Sequence, residues 1–154
     1  DQIRIAHFVD AVVHDVLHRD LRDVVLVGHS LAGLTLGHAA VRLGERVRRV
    51  VHLSTSVPVP GQSMTDVMAH PLSPRRRGAD FATMFCNDLD AERTDWLLSR
   101  LGPEPPGPMS EIVEPLATPL EVPITYVVLE HDEALPPALQ RIQGELAELL
   151  LGYA

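Results

Sequence analysis

The sequence predicts an α/β fold, with a mainly parallel sheet flanked by helices and a proline-rich helical insertion, in a single domain over residues 1–154. Three observations carry this. Val24-Val25-Leu26-Val27, Arg48 to Ser54 and Ile124 to Leu129 are strand-length runs rich in β-branched and apolar residues. The segment between the first two runs, Leu31 to Leu43, has the small and apolar residues of a buried helix and short flanking loops, the makings of a β-α-β unit. Most of the 13 prolines fall between Val57 and Val122, where only short helices fit between them.

In chain order, Phe8, Val9, Val12, Val13, Val16 and Leu17 share one face of a helix over Ile5 to Arg19, with Asp10, His14, Asp15 and His18 off it. A strand over 24–28 follows and reads as buried on both faces, since four apolar residues stand in a row. Gly44 is placed to end the next helix, and a second strand covers 48–54. The insertion spans about 58–122 and reads as a cap over the sheet. Its clearest helix, Ala91 to Leu101, has Asp90 as its cap and Gly102-Pro103 as its stop. A third strand over 124–130 lies beside the second. Near the C-terminus, Leu135, Leu139, Ile142, Leu146 and Leu149 alternate in steps of four and three. They predict one unbroken helix from Ala138 to Leu150 with a continuous apolar stripe, and Gly144 inside it costs about 1 kcal/mol relative to alanine.

Composition excludes several functions. A net charge of −8 argues against a phosphate-backbone ligand, which needs a basic face. No apolar run approaches the roughly 20 residues of a membrane span. The N-terminus has no signal-peptide pattern, and the lone Cys86 allows no internal disulfide, so the expected setting is cytoplasmic. No initiator methionine is present, and a piece of a longer protein or a processed product is expected. All 13 basic residues are arginine.

The chemistry centres on Gly28-His29-Ser30-Leu31-Ala32-Gly33. A strand that reverses sharply into a helix leaves Ser30 at the bend, above helix-N-terminal amides that favour negative charge. Gly28 and Ala32 are small because strand and helix nearly touch. Asp132 follows the third strand, and in a parallel sheet it shares an edge with Ser30. A nucleophilic serine needs a histidine to take its proton and a carboxylate to orient that histidine.

The pattern Gly28-His29-Ser30-Leu31-Ala32 resembles the nucleophile elbow of the α/β-hydrolases. Val51-His52-Leu53-Ser54-Thr55-Ser56-Val57-Pro58, Phe85-Cys86-Asn87-Asp88 and Asp132-Glu133-Ala134-Leu135-Pro136 resemble the branch containing methylesterases and hydroxynitrile lyases. The likeness runs through nearly the whole chain. It implies Ser30 as nucleophile, Asp132 as acid, the Leu31 amide as one oxyanion donor, and a small carboxylic ester as substrate. No cofactor and no metal is expected, and a homodimer is possible.

Two departures stand out. The family's opening strands and His-Gly segment, which supplies the second oxyanion donor, have no counterpart here. Nor does its catalytic histidine, since no histidine follows His131. His29 and His131 are the substitutes to weigh, and neither has the family's placement. The triad therefore reads as incomplete, and a non-catalytic remnant or binding module of the same fold is the alternative. A hydroxynitrile-lyase chemistry is disfavoured because those relatives use a lysine.

Three other motifs read blandly. His14-Asp15-Val16-Leu17-His18 spaces two metal ligands on a helix, but off the apolar face and without a third ligand. Gly28-x-Ser30-x-x-Gly33 departs from the dinucleotide fingerprint at its middle glycine. Arg75-Arg76-Arg77 is a solvated loop in an acidic chain. Met64, Met68, Phe81, Met84, Phe85, Trp96 and Met109 suit either a pocket lining or ordinary packing.

Overall fold

In the computed structural model, which describes residues 2–151, the chain runs α1 (Ile5–His18), β1 (Val24–Ser30), α2 (Gly33–Leu43), β2 (Val47–Thr55), α3 (Met64–Met68), α4 (Phe81–Phe85), α5 (Ala91–Leu98), α6 (Pro106–Ser110), β3 (Ile124–Val127) and α7 (Pro137–Leu151). Asp1 and residues 152–154, the ends of the domain expected over 1–154, lie outside the described residues. The strands form one parallel sheet in the expected order β1-β2-β3.

Register sorts the strand residues into two faces. The rows Leu26–Val50–Ile124 and Gly28–His52–Tyr126 share the inner face. Helix α2 lies close against it: a Cβ on Gly28 would stand 2.7 Å from Leu36 Cδ1 and 2.9 Å from Ala32 Cβ. Helix α1 adds Ile5, Val9, Val13 and Val16 to the same core. The rows Val27–Val51–Thr125 and His29–Leu53–Val127 form the outer face. Here the expectation of a strand buried on both sides fails, because Val25 and Val27 are exposed, Val27 by 63%. β1 is an edge strand among the described residues, and its outer face is left to solvent.

Element ends follow local hydrogen bonding. α2 starts at Gly33 rather than Leu31, because Leu31 and Ala32 form the turn, with the Ala32 amide donating to the His29 carbonyl at 3.0 Å. Gly44 ends it at φ 53, as expected. In the cap, Ser63, Asp80 and Asp90 each accept an amide from the first turn of α3, α4 and α5. α5 stops at Leu98, three residues short of the expected end, and the Arg100 and Leu101 amides both turn back to the Leu97 carbonyl. β3 stops at Val127 instead of continuing to 130, because the Leu129 backbone is taken by Gln140.

The unbroken C-terminal helix is present, but its apolar stripe is not the buried one. Ile142 and Leu149 are exposed, and the buried line is Leu139, Gln140, Gln143 and Ala147. The helix is rolled to bring two amide side chains inward, where strand ends need hydrogen-bond partners. Gly144 also has a packing role that propensity does not reveal: a Cβ there would sit 3.3 Å from the Tyr126 ring.

Gly33 gives the sharpest mutational contrast. A Cβ on it would lie 1.9 Å from the Ser56 carbonyl oxygen, whereas a Cβ on Gly102 meets nothing within 4 Å. Gly33→Ala is expected to destabilise the protein by about 3 kcal/mol in urea unfolding, and Gly102→Ala to stay within about 0.5 kcal/mol of the parent. Equal midpoints for the two variants would contradict the packing described.

Candidate active site

Ser30 closes β1 at φ 53, a left-handed conformation that a non-glycine residue adopts at a cost of about 1 kcal/mol or more. The strain is over-determined from both sides. Gly33 allows α2 to press against the Ser56 carbonyl, and the Ser56 amide donates to the Ser30 carbonyl at 3.1 Å. Ser30 is exposed at the C-terminal edge of the sheet, and the Leu31 amide follows directly on the bend. His29 is also exposed, on the outer face of β1.

The neighbouring end of β2 is irregular in the same place. His29 pairs with Leu53 but Ser30 pairs with Thr55, so Ser54 is the extra residue of a bulge. Ser54 has φ 45 and is almost wholly buried, and its hydroxyl donates to Asp132 Oδ2 at 2.5 Å. Asp132 accepts three further hydrogen bonds. The Ala134 and Leu135 amides reach Oδ1 at 2.8 and 2.9 Å, and Gln140 Nε2 reaches Oδ2 at 3.4 Å. Gln140 also accepts from the Leu129 amide at 2.7 Å and donates to the Leu129 and Leu135 carbonyls at 3.0 and 2.6 Å. One turn on, Gln143 Oε1 accepts the Val57 amide. Ser30 and Asp132 thus stand at one edge of a parallel sheet, tied through the end of β2.

Sequence reasoning missed Ser54, Gln140 and Gln143 as members of this region. The signals were a serine ending an apolar strand run, and two glutamines three apart on one helical face.

His52 lies beneath, wholly buried on the inner face. Its Nδ1 is 2.7 Å from Thr55 Oγ1, its ring stacks on Tyr126 at 6.0 Å, and its Nε2 has no partner among the described residues. Burial pushes the imidazole down to about 4. Tyr126 donates to the Thr55 carbonyl at 2.6 Å, and burial raises its phenol well above the usual range. His38, half-buried on α2, is also lowered by burial.

The other candidates are not drawn in. His131 is exposed, and its carbonyl receives only a long 3.5 Å bond from cap residue Asn87. Among the described residues no histidine is hydrogen-bonded to Ser30. His14 and His18 stack on each other at 5.5 Å on the exposed side of α1, and no group of three metal-ligating side chains occurs among the described residues. Arg76 and Arg77 donate to loop carbonyls of Ala69 and Leu72, while Arg75 covers the Phe81 ring. Of the cap candidates, Met64 and Met84 are core, whereas Phe81, Phe85 and Trp96 are exposed. Surface hollows of about 460 and 390 Å³ lie at Trp96 and between β3 and α7, and neither is lined by Ser30 or Asp132. No helix among the described residues is long and apolar enough to cross a membrane.

Comparison with known proteins matches residues 2–151 to the alpha/beta hydrolase family. The chain is 31% identical over 141 residues to alpha/beta hydrolase nvfD of Aspergillus novofumigatus, covering 77% of this chain and 55% of that protein. It is 36% identical over 55 residues to the carbendazim hydrolyzing esterase of a Nocardioides species, 36% of this chain and 23% of that one. An extracellular alpha/beta-hydrolase from a Paenibacillus species superposes with a TM-score of 0.77 at 21% identity, over 98% of this chain and 68% of the other. The chain spans about half the length of the curated relatives it matches over most of its residues.

The buried imidazole has a pH consequence. Its proton affinity is lower folded than unfolded, so below the ordinary value of about 6.5 the unfolded chain binds the extra proton. Stability contributed by neutral His52 is complete above that pH and falls as pH drops toward 4. Between pH 7 and pH 4.5 this group should remove about 2 kcal/mol of stability, and His52→Leu should flatten the dependence by the same amount in urea titrations at the two pH values. An unchanged pH dependence in the variant would contradict the burial.

Proposed function

Because this chain belongs to the alpha/beta hydrolase family, we propose that it is a serine hydrolase of small carboxylic esters whose triad is incomplete within these residues. The observation that carries this reading is Ser30 itself: an exposed serine, held in a left-handed conformation, at a strand-to-helix bend above α2. In the reaction, Ser30 Oγ attacks the ester carbonyl, the carbonyl oxygen takes up negative charge near the Leu31 amide, and the alcohol leaves. Water then hydrolyses the acyl-serine. A histidine would accept the serine proton in the first half and pass it to the departing alcohol, then take a proton from the attacking water in the second half and return it to Ser30, with Asp132 as the acid of this scheme. The esterase name of the Nocardioides relative supports the ester class.

Without a base at Ser30, the serine is a weak nucleophile. The chain is therefore expected to hydrolyse p-nitrophenyl acetate no faster than its Ser30→Ala variant, within about twofold. Robust hydrolysis that vanishes in Ser30→Ala would overturn the incomplete triad and identify a base within the chain, with His131 and His29 as the variants to test next.

A further inference from the structure

A carboxylate offers about four lone-pair positions, two on each oxygen. Those of Asp132 are all engaged by neighbours in its own fold: the Ala134 and Leu135 amides on Oδ1, and Ser54 Oγ and Gln140 Nε2 on Oδ2. The amide pair closes the turn after β3. The Oδ2 pair does something different, because it joins two elements distant in sequence, the bulge of β2 and the first turn of α7.

The bulge is also what holds Ser30. Ser54 precedes Thr55, the pairing partner of Ser30, and Ser56, whose amide donates to the Ser30 carbonyl and whose carbonyl packs on Gly33. A left-handed, almost wholly buried Ser54 persists only where its surroundings fix it. Asp132 Oδ2 is the partner of its hydroxyl, and Gln140 fixes Asp132 in turn through four hydrogen bonds, three of them to the Leu129 and Leu135 backbone.

We infer that Ser54, Asp132 and Gln140 form a positioning clamp on the strand end that carries Ser30, and that this clamp, together with the Ala134 and Leu135 amides, takes every acceptor site by which Asp132 would orient an imidazole. The inference rests on the reading of Ser30 as nucleophile and deepens it. Asp132 acts on Ser30 through the β2 bulge, and its carboxylate keeps no vacancy for an imidazole. The longest of the four bonds, that from Gln140 Nε2, is the one an imidazole would have to displace.

The test compares Ser54→Ala, Asp132→Asn, Gln140→Ala and the Ser54→Ala/Asp132→Asn double variant in the full chain. Amide hydrogen exchange is read at Ser56 and along α1, and the labelling of Ser30 by a fluorophosphonate is followed by intact mass. Each single variant should speed exchange at Ser56 by about tenfold while leaving α1 unchanged, and the double variant should add nothing to the larger single effect. Labelling of Ser30 should fall equally in Ser54→Ala and Asp132→Asn. Unchanged Ser56 exchange in Ser54→Ala or Gln140→Ala overturns the clamp, and those two variants decide the matter if Asp132→Asn does not fold. A loss of labelling confined to Asp132→Asn, about a hundredfold or more, would also overturn it, as the behaviour of a carboxylate that orients a base. An unlabelled parent is the result expected of a serine left without a base, and the exchange data then decide the clamp alone; labelling that maps to a residue other than Ser30 would sink the nucleophile reading without touching the clamp.

Discussion

The close approach of α2 to the end of β2 governs the geometry of this protein. At Gly33 the helix backbone and the Ser56 carbonyl leave no room for a side chain, and at Gly28 the strand meets Leu36 and Ala32 almost as tightly. A chain that must reverse between such closely packed elements cannot spread the turn over relaxed residues. The conformational cost collects at Ser30, and the matching irregularity in the neighbouring strand collects at Ser54. Both strained residues are serines, small enough for the space and able to hydrogen-bond where the ladder is broken.

Much of this was legible in the residues. Strand positions and order follow from the apolar runs and from the preference of β-α-β units for adjacent parallel strands. The capping aspartate of α5 and the terminating glycine of α2 stand where local chemistry puts them. What stayed hidden depends on partners distant in sequence. Val25 and Val27 read as core because composition does not reveal that β1 is an edge strand among the described residues. The leucine periodicity of α7 gave the helix but misplaced its face, because unsatisfied backbone groups at Val57 and Leu129 outweigh the burial of Ile142 and Leu149. Gly144 looked like a local defect until Tyr126 was seen to occupy the space its missing side chain leaves.

The two sides of the sheet follow different rules. The inner face is close-packed and carries His52 with one nitrogen unpartnered among the described residues, together with a tyrosine whose hydroxyl is committed to the Thr55 carbonyl. Polar groups there are fixed by specific bonds in a poorly solvated setting, where any change of charge is strongly felt. On the outer face Val25, Val27 and Val127 are exposed among the described residues.

The inward glutamines of α7 alter how that helix is held. A helix seated by leucines alone can slide by a turn and still cover apolar surface, since dispersion has little directionality. Gln140 and Gln143 meet backbone groups of two different strand ends, and a slip of one turn would strand all of those donors and acceptors at once. Docking of α7 is thus keyed, with one register and no near neighbours. The C-terminal helix is seated by direction as much as by area, each glutamine answering to one strand end.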